Sequence, residues 1–240
     1  LEFRRVLFRS EGVSQDYEQA MEWFVKAAEH GYGNAFAAIG YMYGNGLGVE
    51  ADDKEAVSWF IKAFENGNTT GTYNLGNMYL DGKGVETDHA KAMRCFELTA
   101  AEDYPDSFNN MAYMYINGLG VDRSYEKAIE CYEEGIEAGS GWCAANIGNM
   151  YASGAGTGKD VNKAIECIQE AIELEGYDDE LMEYAESILG VMVQNGDITR
   201  ADASAILNNA HPETVIFSDV KEDAYYYDAD RKSTRLNSSH

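Results

Sequence analysis

Residues 74–92 read NLGNMYLDGKGVETDHAKA, and this stretch decides the fold. Glycine enters the left-handed backbone region at little steric cost, so Gly82 and Gly84 predict the end of one helix. Asp88 predicts the start of the next helix, because a short side-chain oxygen satisfies an orphan backbone N–H in the first turn. The stretch therefore reads as a helix, a glycine loop, an N-cap and a second helix.

The same arrangement recurs every 36 residues, without a gap, over four cycles. The in-phase alanines are Ala20, Ala56, Ala92, Ala128 and Ala164, and the in-phase Met-Tyr tyrosines are Tyr43, Tyr79, Tyr115 and Tyr151. One amphipathic helix pair of this length cannot bury its apolar face alone, whereas stacked pairs make a continuous core. The sequence therefore predicts an all-α solenoid of helix-turn-helix repeats.

Each cycle is predicted to hold a first helix before the glycine loop and a second helix after it. In residues 34–45 the apolar side chains fall at helical spacing and form one stripe. The N-caps expected for the second helices are Asp16, Asp52, Asp88, Ser124 and Asp160. The second helices are expected to stop at Gly31, Gly67, Asp103 and Gly139, where Asp103 replaces glycine in the third cycle.

Composition divides the chain into five segments. Residues 1–10 and 230–240 resemble translated sequencing-adapter DNA, so we expect two artefactual tails. Between them we expect repeats over 11–175, beginning with a partial cycle, and a divergent helical pair over 176–210. Residues 211–229 are predicted to be an acidic, tyrosine-rich tail. On this interpretation the natural segment is a fragment that is open at both ends.

The charge of the chain excludes several classes of protein. Lys and Arg number 18 against 42 Asp and Glu, which gives −24, and without the two adapter-like tails the balance is 12 against 40, or −28. Binding to nucleic acid or anionic lipid needs a basic surface. No apolar run approaches the roughly 20 residues that span a bilayer, so no membrane insertion is predicted. A partner should be a neutral or basic protein or peptide.

The pattern of residues 74–92 resembles the Sel-1-like repeat, a relative of the tetratricopeptide repeat, and the likeness covers about residues 11–175. Departures are Ala112 for glycine, Thr157 for valine, and Cys95 and Cys131 for tryptophan. The resemblance implies a right-handed α-α superhelix that serves as an interaction scaffold or adaptor. Some cysteine-rich bacterial members are linked to binding or hydrolysing β-lactams, so a hydrolase is one alternative. A passive segment of a longer repeat array is another.

The cysteines do not predict a functional site. One repeat position holds Trp23, Trp59, Cys95, Cys131 and Cys167, and it is predicted to face the core. Cys143 lies outside this series, so no two-cysteine staple is expected. The compartment is left open, with a cytoplasmic location favoured over secretion.

No cofactor, metal site or catalytic set is predicted. The histidines have no metal ligand at helical spacing, and the sequence contains no nucleophile-base motif. The loop of residues 154–159 resembles a phosphate-binding loop but lacks its first glycine and its Ser/Thr. The sequence therefore does not favour an enzyme.

The strongest functional signal is the wall formed by the first helices. By resemblance to tetratricopeptide repeats, four positions of each first helix face the concave side, and here they are rich in Asn and Tyr and hold no Lys or Arg. Asn can hydrogen-bond both N–H and C=O of a peptide, and aromatic rings supply contact area. The predicted partner-binding residues are Asn34, Tyr41, Asn45, Tyr73, Asn77, Asp81, Asp106, Asn109, Tyr113, Asn117, Trp142 and Asn149. Alternatively, these side chains only serve repeat packing.

Overall fold

The computed structural model describes residues 16–176 and 178–210, which form helices and their connecting loops with no strand among them. The helices are α1 Tyr17–Glu29, α2 Gly33–Asn45, α3 Asp53–Glu65, α4 Thr69–Asp81, α5 His89–Ala100, α6 Pro105–Asn117, α7 Tyr125–Glu137, α8 Gly141–Ser153, α9 Val161–Glu175, α10 Asp179–Gln194 and α11 Arg200–Ala210. The all-α prediction is confirmed. None of these helices combines the length and apolarity that a bilayer span requires. The tails expected over 1–10, 211–229 and 230–240 lie outside the described residues.

The chain groups into two compact units, residues 1–99 and residues 100–240. In the first unit, α2 packs against α1, α3 and α4. In the second unit, α8 packs against α6, α7, α9 and α10, and α11 packs against α9 and α10. Within each unit, successive first helices therefore lie side by side, and each also packs on second helices.

Short polar side chains cap the second helices where the period predicts them. The carboxylate of Asp52 accepts hydrogen bonds from the backbone N–H groups of Lys54 at 2.9 Å and Glu55 at 3.1 Å. Asp16, Asp88, Ser124 and Asp160 each accept one bond from the backbone N–H three residues later. Each cap satisfies donors that the helix itself leaves unpaired.

Removal of one cap should cost a measurable amount of stability. We expect Asp52→Ala to lower the free energy of unfolding by about 1 kcal/mol, because two first-turn N–H groups lose their acceptor. Asp53→Ala is the matched control, since it removes the same charge from the same exposed turn and should cost only about 0.3 kcal/mol through the helix dipole. Urea unfolding followed by circular dichroism measures both, and equal losses would contradict a capping role.

The two glycines of each loop have different roles. The first ends the first helix in the left-handed conformation, as at Gly82 with a φ of 69°, where its N–H donates to the Met78 carbonyl. The second has a positive φ as well and also lies against the start of the second helix one repeat earlier. A Cβ on Gly84 would lie 2.2 Å from the carbonyl oxygen of Asp53. Gly48 and Gly156 approach Tyr17 and Tyr125 in the same way.

The in-phase apolar residues fill the interior of each unit. Ala56, Ala92, Ala128 and Ala164 are fully buried, as is Ala112, which replaces the glycine of the repeat. The ring of Phe96 is also fully buried and lies over Gly76, where an added Cβ would come within 2.7 Å of it. Small residues on the first helix thus let the aromatic of the second helix approach closely.

The prediction that the Trp/Cys position faces the core is wrong for Trp23. Cys95 and Cys131 are buried, and Trp59 is half-buried and stacks on Phe36 with centroids 6.2 Å apart. Trp23 is 68% exposed. Burial at this position therefore depends on which side chain packs against the ring, as Phe36 does at Trp59.

In three second helices a lysine also lies over the in-phase tyrosine of the preceding first helix. Lys91 lies 5.1 Å from the centre of the Tyr79 ring, Lys127 lies 5.3 Å from Tyr115, and Lys163 lies 5.1 Å from Tyr151. An ammonium over an aromatic face is attracted by the ring quadrupole. The lysine and the tyrosine of these three cycles are therefore explained as one contact within the hairpin.

Candidate partner-binding face

All twelve predicted partner-binding residues lie on α2, α4, α6 and α8. We call the side of these first helices that carries them the first-helix face, and each unit has a first-helix face of its own. Five of the residues are exposed, namely Asn34, Asn45, Asp106, Asn117 and Asn149. The other seven are half-buried, namely Tyr41, Tyr73, Asn77, Asp81, Asn109, Tyr113 and Trp142. The four helices contain no Lys or Arg, so the only ionised side chains they contribute are carboxylates.

In residues 16–99, an amide pair joins neighbouring first helices. Asn68 donates from Nδ2 to Oδ1 of Asn34 at 2.6 Å, and its own Oδ1 accepts from the backbone N–H of Gly71 at 2.7 Å. Asn68 therefore caps α4 and fixes the amide of Asn34 at the same time. This orientation leaves the Nδ2 donors of Asn34 for other acceptors. Tyr73 packs against the buried ring of Phe96, with centroids 5.7 Å apart.

The last turn of the first helices uses its polar side chains locally. Asn45 donates to the carbonyl of Tyr41 at 2.8 Å, and Asn117 donates to the carbonyl of Tyr113 at 2.9 Å. Asp81 instead pairs with Lys83 in the loop at 3.3 Å. The two asparagines thus bond within the last turn of their own helices, and Asp81 bonds within the loop that follows its helix. This row of predicted residues therefore has a structural role in addition to any binding role.

In residues 100–210, a chain of hydrogen bonds crosses three first helices. Asn146 donates from Nδ2 to Oδ1 of Asn109 at 2.7 Å. The hydroxyl of Tyr184, on α10, donates to Oδ1 of Asn146 at 2.9 Å and accepts from Nδ2 of Asn149 at 3.1 Å. The order of donors and acceptors leaves Nδ2 of Asn109 and Oδ1 of Asn149 for a ligand. The network thus ends in an amide donor group at Asn109 and in an amide acceptor at Asn149.

Tyr184 also packs against Trp142, the tryptophan of this face. Its ring stacks on that of Trp142, with centroids 5.8 Å apart and planes 23° from parallel. Tyr184 is buried, and this burial raises the pKa of its hydroxyl to about 12, so that the group stays a protonated donor. The half-buried Trp142 is therefore held in one position by a rigid neighbour.

Carboxylates surround the start of α8. Oε2 of Glu175 accepts from the backbone N–H of Gly141, the residue before Trp142, at 3.2 Å. Loss of solvent around this carboxylate raises its pKa, and the negative charges of Asp178 and Asp106 raise it further. Carboxylates from α6 and from the cap of α10 thus act on Glu175, which lies at the N–H of Gly141.

The cysteines take no part in this face. All four are free; Cys95, Cys131 and Cys143 are buried, and Cys167 is half-buried. Burial raises the pKa of the Cys131 and Cys143 thiols to about 12 and that of Cys95 and Cys167 to about 11. Thiols with such pKa values are poor nucleophiles. In the described part of the chain, no group of His, Cys, Asp and Glu could hold a metal ion.

Reasoning from the sequence missed four residues of this site. The predicted set does not contain Asn68, Asn146, Glu175 or Tyr184, although Asn146 is in phase with the asparagines at positions 74 and 110. The cap of α10 lies two residues later than the first-helix period requires, at Asp178, and α10 has 16 residues against 13 in α8. Because the register is lost there, the period could not place Tyr184 on the face.

Comparison with solved structures identifies the repeat. A Sel1 repeat protein from Oxalobacter formigenes is 27% identical, with a TM-score of 0.63 over 83% of this chain and 81% of that one. The protective antigen c5321 of uropathogenic Escherichia coli, which displays an SLR fold, is 27% identical with a TM-score of 0.62, and the match covers 89% of this chain but 52% of that one. The immunity protein Pa5087 from Pseudomonas aeruginosa, 17% identical with a TM-score of 0.54 over 82% of each chain, shows the fold alone.

No curated protein matches the sequence. The Sel1 repeat model matches in five consecutive segments, residues 5–32, 35–68, 70–104, 106–140 and 143–175. Proteins built from this repeat generally act as scaffolds for protein interactions. The match covers well over half of the sequence, and the chain belongs to the Sel1 repeat family.

Proposed function

We propose that this protein is a non-catalytic scaffold that binds an extended segment of a partner protein along the first-helix face of either unit. The observation that carries the proposal is the composition of that face: half-buried tyrosines and exposed asparagines on helices that contain no Lys or Arg. Rigid aromatic side chains lose little rotamer entropy on binding, and they dominate the affinity of most protein interfaces. The face thus has the chemistry of a peptide-binding surface.

The amide networks favour an extended backbone as the ligand. Asn34 and Asn109 each have their Oδ1 occupied by a neighbouring asparagine, so each presents Nδ2 donors outward. Asn149 has its Nδ2 occupied by Tyr184, so it presents an acceptor. A peptide main chain alternates acceptors and donors and can use both kinds of group.

The charge of the chain restricts the partner to a neutral or basic segment. The chain carries −24 in total, and the long-range repulsion of an acidic partner would slow association. The hydrolase alternative gains no support from the cysteines of the described residues, because burial raises the pKa of their thiols. The third possibility, a passive segment of an array, predicts that no peptide binds.

A peptide-display selection tests the proposal. Random dodecapeptides selected on the wild-type chain are measured against the variant Asn34→Lys/Asn117→Lys/Asn149→Lys, which adds three cations to exposed positions of the first-helix face. We expect affinity to fall at least ten-fold, because bulk and charge are placed where the backbone would lie.

The control adds the same charge elsewhere. Ser58→Lys/Ala90→Lys/Asn162→Lys changes exposed positions of second helices and should leave affinity within two-fold. Thermal unfolding confirms that both variants are folded. A selection without binders, or an equal loss in the two variants, would remove the first-helix face as the binding site.

A further inference from the structure

A single hydroxyl group, that of Tyr184, connects the side-chain amides of the first-helix face in residues 100–210. Counted from the helix caps, Tyr184 is the sixth residue after Asp178 in α10, and Asn146 is the sixth residue after Ser140 in α8. Asn146 bonds back to one side chain of the preceding first helix, Asn109, at 2.7 Å. The longer tyrosine bonds back to two side chains of α8, at 2.9 Å and 3.1 Å. A tyrosine thus takes the structural position of an asparagine and reaches further onto the face.

The hydroxyl gives the amides one common direction. Its single proton is donated to Oδ1 of Asn146, and its oxygen accepts from Nδ2 of Asn149. Because Oδ1 of Asn146 is engaged in this way, Asn146 turns its Nδ2 toward Asn109. Burial raises the pKa of the hydroxyl to about 12, so the proton that orders these bonds is present at neutral pH. Hydrogen bonds in such a chain polarise and strengthen one another. The groups at both ends of the network are therefore set from α10.

We propose that Tyr184 is a positioning residue for partner binding on the first-helix face of residues 100–210. Its hydroxyl turns the amide of Asn149 so that Oδ1 accepts an N–H of the partner backbone. Through Asn146 it turns the amide of Asn109 so that Nδ2 donates to a carbonyl of the partner backbone. This inference rests on the proposed scaffold function and adds to it a residue that the 36-residue period does not place.

The ring and the hydroxyl of Tyr184 have separable roles. The ring stacks on Trp142 and belongs to the apolar core of its unit, and a phenylalanine ring would keep these contacts. The hydroxyl makes the bonds to Asn146 and Asn149, and phenylalanine would remove both. Without them each amide can turn about its last side-chain torsion, which has no single preferred value. Part of the binding free energy would then be lost in ordering the amides.

Tyr184→Phe tests the inference with dodecapeptides that are selected on the wild-type chain and whose binding Asn149→Lys weakens. Fluorescence polarisation of labelled peptides measures the affinity, and we expect it to fall at least ten-fold because two hydrogen bonds that orient the amides are lost. Tyr151→Phe is the matched control. It removes a hydroxyl from half-buried Tyr151 in α8 of the same unit, and the ring contact with Lys163 does not need that hydroxyl. Its affinity should stay within two-fold of the wild type.

A double-mutant cycle separates positioning from general support of the fold. In the background Asn109→Ala/Asn149→Ala, the amides that meet the partner are absent. Tyr184→Phe should therefore change the remaining affinity by less than two-fold there. A tyrosine that only supported the fold would cost the same factor in both backgrounds.

Peptides with a single backbone ester test the chemistry of the partner. An ester in place of an amide removes one N–H and leaves the shape of the chain nearly unchanged. We expect one ester position to weaken binding to the wild type at least ten-fold and binding to Asn149→Ala less than two-fold. That position identifies the N–H that Oδ1 of Asn149 accepts, and a peptide series without such a position would contradict the assigned contact.

The outcomes separate this inference from the proposed function. A loss of less than two-fold in Tyr184→Phe, or equal losses in the two backgrounds, would overturn the role of Tyr184. Binders that Asn34→Lys weakens and Asn149→Lys does not would also overturn it, while the scaffold function would stand on the face of residues 16–99. If display selection gave no binders, the scaffold proposal would fail, and this inference would fail with it.

Discussion

Replacement of Phe96 by alanine is expected to lower the free energy of unfolding by about 3–5 kcal/mol. The ring is fully buried, lies over Gly76 and packs against Tyr73. Truncation removes the transfer free energy of the ring and leaves a cavity that the backbones of α4 and α5 cannot close completely. Urea unfolding followed by circular dichroism at 222 nm gives the change, with the slope of the transition as a check on cooperativity.

Phe64→Ala is the matched control for this measurement. Phe64 lies on a second helix of the same unit, but it is 42% exposed, so its loss leaves little cavity. We expect a change of less than about 1 kcal/mol. If both variants lost the same stability, the assignment of Phe96 to the interior of the repeat would be wrong.

The fold could be predicted in detail because every local signal repeats with the same period. The glycine loops, the caps and the buried alanines all lie where the 36-residue period places them. Even the departure at Asp103 was predictable as a helix stop. Its φ is 53°, and aspartate enters the left-handed region more readily than most residues. The fold can be predicted from such a sequence because the local conformational preferences agree with the tertiary packing.

Trp23 and Tyr184 could not be placed from the sequence, for two different reasons. A repeat position predicts only which way a side chain points, whereas its burial depends on the side chains that pack against it. Trp59 stacks on Phe36, and Trp23 is 68% exposed. Tyr184 lies on a helix whose cap is displaced by two residues, so the period gives no register for it.

The candidate site was only partly predictable for a related reason. The period placed Asn109, Trp142 and Asn149 on one face, but it could not show that their polar atoms are already engaged with Asn146 and Tyr184. Those bonds determine which donor or acceptor each amide presents. The chemistry offered to a partner is therefore a property of several adjacent helices rather than of any single repeat.

Replacement of Gly84 by alanine is expected to cost about 3 kcal/mol, which is unusual for a loop residue. The φ of 67° alone costs an alanine about 1–2 kcal/mol. In addition, the new Cβ would lie 2.2 Å from the carbonyl oxygen of Asp53, which is backbone and cannot rotate away. The loop or the start of α3 must shift, and such overpacking costs about 1–3 kcal/mol.

Gly67→Ala is the matched control, because it measures the cost of the backbone conformation without the steric contact. Gly67 has nearly the same φ, 68°, but nothing lies within 4 Å of its added Cβ. We expect about 1 kcal/mol there, so the difference between the two variants measures the close approach of adjacent hairpins. Equal losses in urea unfolding would mean that the second loop glycine serves only the backbone conformation. A larger loss at Gly84 would explain both glycines of the repeat physically: the first ends a helix, and the second lets one hairpin pack onto the previous one.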